Sequence, residues 1–321
     1  MTAQVAPVRP PRADALLARL MPTSITRYTR FLAWASLVAN IGIVGTGGLV
    51  RLTGSGLGCP TWPYCTDESL INTPEMGIHG IIEFGNRTLT GVLAIIALLL
   101  FLAVLRARPS GMRLAVPAFA IGLLIIVQAI VGGITVLTGL NPDIVGFHFL
   151  ISGLMVAIAA VLLFRVRRGE QVPEVGARLD MSRSGLVLTL SVVVNVWVWV
   201  TVFVGTLTTG SGPHAGDSGS ARNGLDPVVM QHVHSWPAYI LLACALAFAV
   251  VAAVRGFPAT RRVSFALLGL IVAQAIVGIW QARTGLPIGL VIVHMVLSVT
   301  SIAVATTAVA TIRREGRPGR V

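Results

Sequence analysis

The sequence predicts an all-α integral membrane protein: eight transmembrane helices as two tandemly repeated four-helix bundles, with both termini cytoplasmic. Three observations lead there. The 321 residues are 55% apolar and 11% charged, against roughly 25% charged in soluble domains. Eight apolar stretches reach the about 20 residues that a helix needs to cross a bilayer. Finally, the second half repeats the first. QAIVG at 128–132 returns at 274–278, TGL at 138–140 returns at 284–286, and His148 maps onto His294, all 146 residues on. Glu83 and Asn86 map onto Gln231 and His234 at an offset of 148, and TGSG at 53–56 returns at 209–212.

The chain divides accordingly into a cytoplasmic tail (1–28), a first four-helix half (29–166), a cytoplasmic linker (167–183), a second half (184–312) and a cytoplasmic tail (313–321). Within the first tail, 11–21 reads equally as a short interfacial helix or as a disordered stretch. The spans are expected near 29–50, 78–105, 114–138 and 143–164, then 184–207, 228–254, 263–282 and 288–312. Helices are the form that satisfies every backbone hydrogen bond inside lipid. The first span exceeds the 7–15 residues of a typical signal-peptide apolar region, so it reads as retained.

The net charge of +12 does not point to nucleic acid. All 24 basic residues are arginine, and 20 of them fall in the two tails and the second, fourth and sixth connections. Arg51, Arg87, Arg222 and Arg283 are on the other side. An excess of arginine beside spans sets orientation and places both termini in the cytoplasm of a multi-pass cell-membrane protein. Cys59 and Cys65 lie in the first outer loop, on the oxidising side, where a disulfide fits better than a zinc site. Cys244, inside the sixth span, reads as a small apolar residue.

The polar residues inside the spans carry the functional reading. His79 and Glu83 open the second span. His148 lies in the fourth, His232 and His234 in the sixth and His294 in the eighth, all near the outer face. Histidine within a membrane is costly and marks function by default. Neutral imidazole ligates haem iron, and facing helices can offer one each to a porphyrin. His234 and His294 form such a pair in the second half. His232, about 200° round the helix from His234, is left to a propionate or a neighbouring loop. In the first half the position matching His234 is Asn86, a poor iron ligand. His148 remains, and His79 lies on Asn86's helix face about 10 Å further out. Glu83 reads either as an ion pair with Arg87 four residues on or as a general acid/base beside a reacting porphyrin. Arg51 suits a propionate or a lipid headgroup. Gln128 and Gln274 read as interhelical hydrogen-bond partners, and His214 as solvated. One half therefore looks like a holding site and the other like a reaction site.

The segment GGLVRLTGSGLGCPTWPYC (47–65) resembles the first outer loop of the haem A synthase family. The likeness extends to Glu83 with Arg87, His148, His234, His294 and the duplicated halves. It implies conversion of haem O to haem A by oxidation of the C8 methyl to a formyl group. The route is successive hydroxylation, followed by loss of water from the gem-diol. It further implies a haem b cofactor between His234 and His294, and substrate haem in the first half near Glu83 and His148. It adds a paired Cys59 and Cys65, supply of haem O by a haem O synthase, an outside electron acceptor and a role in cytochrome oxidase assembly. The sequence departs from the family in the second span, where histidine gives way to Asn86. Three arrangements then stand open: His79 substitutes, His148 alone holds the substrate iron, or Asn86 hydrogen-bonds water on it. A cytochrome b-type electron carrier is the competing reading; it leaves Glu83 and the cysteine loop without a role. A transporter would also account for an internal repeat, but no Gly/Pro-broken midplane helix pair is evident.

Overall fold

The computed structural model describes residues 17–108, 111–169 and 179–317. Eight long helices follow in order: α1 Arg27–Leu52, α2 Gly77–Leu105, α3 Gly111–Leu137, α4 Pro142–Arg167, α5 Met181–Ser211, α6 Pro227–Val254, α7 Pro258–Arg283 and α8 Ile288–Glu315. All eight are long and apolar enough to span a membrane. No strand occurs among the described residues. Each helix lies within a few residues of its expected position. Residues 17–20 are helical; the rest of the expected segment 11–21 is helix-free at Met21 or lies outside the described residues.

Local chemistry sets the helix starts. Thr26 and Thr29 cap α1 reciprocally. Asn141, Asp180 and Asp226 accept from the first free N–H groups of α4, α5 and α6, donors that would otherwise lack partners. Pro142, Pro227 and Pro258 begin their helices, where a missing N–H costs nothing. Helices α3 and α7 both end at a TGL motif. Leu140 donates its N–H to Thr135 O at 2.7 Å and Leu286 to Gln281 O at 2.8 Å. In each motif glycine and leucine both take positive φ: 62° and 61° at Gly139 and Leu140, 76° and 58° at Gly285 and Leu286.

Each of α1–α4 packs on its neighbours in a ring, α1 against α2 and α4, and α5–α8 do likewise. Two apolar cores result. One centres on Leu37, Leu100, Ile121 and Val156, the other on Val194, Phe248, Leu267 and Ile302. Helices α4 and α8, which carry His148 and His294, also pack on each other, while α8 touches α1 and α4 touches α5. Outward faces are apolar: Phe31 and Trp236 are each 67% exposed. A water-facing surface of that kind would aggregate, whereas a lipid-facing one is at rest.

Candidate functional site

The even-numbered helices all begin at the end of the bundle that carries the cysteine loop. Glu83, His148, His234 and His294 each lie about two turns into their helix, and so at similar depth. The structure brings His234 and His294 together, ring centres 6.4 Å apart and planes 81° from parallel. Taking the about 2 Å metal–imidazole bond of zinc sites, two rings sharing one metal ion stand roughly 6 Å apart, centre to centre. The pair therefore fits one iron. His234 lies beside the Thr201 backbone and His294 beside that of Gln274, yet the buried Nδ1 of each completes no hydrogen bond. His232 turns away, its Nδ1 bonded to Val228 O of its own helix at 2.8 Å.

Three glycines seat the histidine rings, and sequence reasoning did not single them out. A Cβ on Gly205 of α5 would stand 3.0 Å from His234 Cε1, and one on Gly278 of α7 would stand 3.1 Å from His294 Cε1. Gly132 of α3 gives 3.3 Å to His148 Cε1. Gly132 and Gly278 close the two QAIVG motifs, so the signal lay in the sequence without its meaning. His148 is fixed from behind: Gln128 Nε2 donates to its backbone carbonyl at 3.1 Å and to Ser152 Oγ at 2.5 Å. Its Nδ1 too is buried without a partner. Gln274, at the matched place, makes no such bridge; its Oε1 is buried and unpartnered.

Opposite His148 there is no second imidazole from α2. Asn86 instead accepts a hydrogen bond from Thr46 of α1 at 2.8 Å. His79 is exposed. Its Nδ1 meets Ser55 Oγ at 2.9 Å, and it lines a cavity of about 570 Å³ at the cysteine-loop end with Thr53, Met76 and Asp217.

Glu83 is 5% exposed, and both of its oxygens are engaged. Oε2 accepts from the Cys59 N–H at 2.6 Å, and Oε1 from Arg87 at 2.5 Å. Arg87 goes on to donate to the carbonyls of Cys59, Thr61 and Tyr64 at 2.9–3.1 Å. The ion pair thus clamps the loop that the Cys59–Cys65 disulfide closes. In the same loop Trp62 lies over Gly133 of α3. Arg51 joins the two sets of helices, donating to His214 O at 2.8 Å and Thr209 O at 3.1 Å. His214, expected to be solvated, is half-buried and donates Nε2 to Leu286 O at 3.1 Å. The left-handed Leu286 turn presents that carbonyl, which no periodicity reveals.

A family of cytochrome oxidase assembly proteins, COX15-CtaA, matches residues 30–306. The chain belongs to the COX15-CtaA family. Among its relatives, the heme A synthase of Lysinibacillus sphaericus is 31% identical over 190 residues, 56% of this chain and 59% of that one. The heme A synthase of Bacillus pumilus is 34% identical over 170 residues, 50% of this chain and 53% of that one. A Thermus thermophilus protoheme IX farnesyltransferase is 35% identical over 112 residues, 35% of this chain and 18% of that one. The chain spans little more than half the length of the heme A synthases it matches. Within this COX15-CtaA chain, the paired imidazoles of α6 and α8 and the clamped cysteine loop are the features from which a function can be argued.

Proposed function

We propose that this chain is a haem A synthase, oxidising the C8 methyl of haem O to a formyl group to give haem A for terminal oxidases. The observation that carries the reading is the His234–His294 pair, spaced for one iron, in a chain of the COX15-CtaA family. The methyl-to-formyl change removes four electrons. Two C–H bonds in turn become C–OH with oxygen from water, the gem-diol returns one water, and four protons and four electrons leave, the electrons to an acceptor outside the chain.

His234 and His294 would hold haem b, each ring seated on its glycine. Haem b supplies one-electron redox chemistry there. The first half, 29–166, takes the substrate and the second, 184–312, the cofactor, both near the outer face of the cell membrane with the termini in the cytoplasm. His148, backed by Gln128 and Ser152, orients the substrate iron. Glu83 is the acid/base candidate: Arg87 fills Oε1, the Cys59 N–H takes one side of Oε2, and the remaining Oε2 lone pair is the place for a proton. Carboxylate and loop therefore act together. Arg51 has two neutral carbonyl partners, which leave its charge for a propionate. His79, with Nδ1 held by Ser55, serves the rim of the outer cavity. The relative named protoheme IX farnesyltransferase supports supply of the substrate by a haem O-forming partner.

The test is haem extraction and chromatography from a host that makes haem O but no haem A, with and without this chain. Haem A, or its hydroxylated precursor, is expected to appear with the chain. Unchanged haem O beside a folded, haem b-bearing protein would overturn the reading. It would favour a cytochrome b-type electron carrier, for which the Asn86–Thr46 bond in place of an α2 imidazole is the supporting observation.

A further inference from the structure

The opposite end of the bundle, far from the histidines, holds a cavity of about 870 Å³ between α3, α4, α5 and α8. Its mouth is lined by Arg113, Arg165, Arg168, Arg313, Arg314 and Arg317, and its deeper wall by Val161, Phe164, Val192 and Val309. None of its described lining residues is acidic. Orientation by arginine asks only that the charge lie beside the spans, at any rotation of each helix. Here arginines from three helices converge on one hollow.

The described carboxylates at this end are engaged at helix starts and not with Arg317. Among the described residues they are Asp180 and Glu315. Asp180 caps α5, accepting from the Ser182 and Arg183 N–H groups at 3.1 and 3.2 Å. Hydrogen bonding from the Ser182 side chain is the main cause holding its carboxyl below the usual range. Glu315 accepts from Ala259 N, Thr260 N and Thr260 Oγ1 at 2.7–3.0 Å, closing the start of α7. Arg317 meanwhile keeps a buried Nε with no partner. A buried guanidinium donor without an acceptor is costly, so an acceptor from outside is expected there.

The hollow is amphipathic and opens sideways. Arg168 lies over the Phe164 ring at 5.2 Å, at the boundary between charge and apolar wall. Val116 and Val196, on its flanks, are 62% and 53% exposed on the lipid-facing surface. Half-way down, Asn195 Nδ2 donates to Thr306 Oγ1 at 3.3 Å, and the rest of the wall below the arginines is apolar. An occupant must carry its negative charge at one end and apolar chains at the other, and must enter from the bilayer. We propose that this cleft binds an anionic phospholipid, headgroup among the arginines and chains along Val116, Val161 and Val196. Basic pockets between helices on the cytoplasmic side take such headgroups in other membrane proteins.

The test uses the purified full chain, delipidated in detergent and read by native mass spectrometry with phosphatidylglycerol or phosphatidylcholine added. Phosphatidylglycerol is expected to be retained at least several-fold better. The variant R313Q/R317Q should lose that preference, by on the order of tenfold in affinity. R106Q/R108Q, at the same end but off the cleft, should keep it. Equal retention of the two lipids by the wild-type chain overturns the proposal, whatever the variants do. So does loss of preference in R106Q/R108Q, which would mark a diffuse surface field. Displacement of the lipid by excess inorganic phosphate would also overturn it, because the apolar wall would then contribute nothing.

Discussion

At the scale of single residues, the second-half pair is defined by what its rings lack and what they lean on. Neither Nδ1 of His234 and His294 has a hydrogen-bond partner, and each ring rests on a glycine. Alanine in place of either histidine is expected to abolish tightly bound haem b, read as the haem absorbance per protein after purification. Normal haem content in both variants would remove the proposed cofactor site. Gly278→Ala and Gly205→Ala are subtler. The added Cβ would stand 3.0–3.1 Å from a ring carbon, so the ring must shift by a few tenths of an ångström. Both variants should still insert and fold, with weakened haem retention and a displaced absorption spectrum. Glycine was visible at these positions in the sequence; that it faces an imidazole across a helix pair was not.

Among elements, the cysteine loop and the TGL turns show opposing terms that magnitudes can decide. The Glu83–Arg87 pair ties α2 to the loop 59–65 through four hydrogen bonds, three from Arg87 to loop carbonyls and one from the Cys59 N–H to Glu83. Arg87→Ala leaves Glu83 buried without its counter-charge, a loss of about 3 kcal/mol. The variant should show faster proteolysis in the 59–65 loop, and unchanged cleavage kinetics would show that the disulfide alone holds it. At Leu140 and Leu286 a left-handed leucine costs about 1 kcal/mol, which glycine would relieve. Leu140 is 7% exposed and wedged between Gly56 and Gly216. Truncating it forfeits about 2–3 kcal/mol of packing, so Leu140→Gly should destabilise. Leu286 is only half-buried, and Leu286→Gly should be near neutral. Thermal unfolding of the two variants in detergent checks the contrast; equal losses would mean that turn strain, not packing, governs both.

For the whole molecule, the question is why one set of helices offers two imidazoles and the other a single one. Asn86 stands where the repeat calls for the partner of His148, and Thr46 has taken up its amide oxygen. Asn86→His is expected to raise haem bound per chain and to add a second six-coordinate haem spectrum. If the haem stoichiometry and spectrum stay as in the parent, the first half is not built to hold iron between α2 and α4. Arg51 is the other whole-molecule contact, running from the end of α1 to the loop after α5. It holds the two sets together at the end where both histidine sites lie.

The sequence by itself determined the class, the eight spans and the arginine asymmetry. These depend on runs of apolar residues about 20 long and on charge beside them, which are local properties that lipid enforces. It also singled out Glu83, Arg87, His148, His234 and His294, because an ionisable group in an apolar span stands out wherever it falls. Tertiary structure decided which of these meet. The repeat had already paired His234 with His294 and set His232 aside, but that Glu83 is held by a loop some two dozen residues upstream and that His214 reaches the Leu286 turn depend on helix rotation and on loop paths. The arginine cleft belongs with them, since three separate clusters in sequence become one mouth only when α3, α4 and α8 end side by side. Rotation is set by packing among many side chains at once, and no single segment of the chain encodes it.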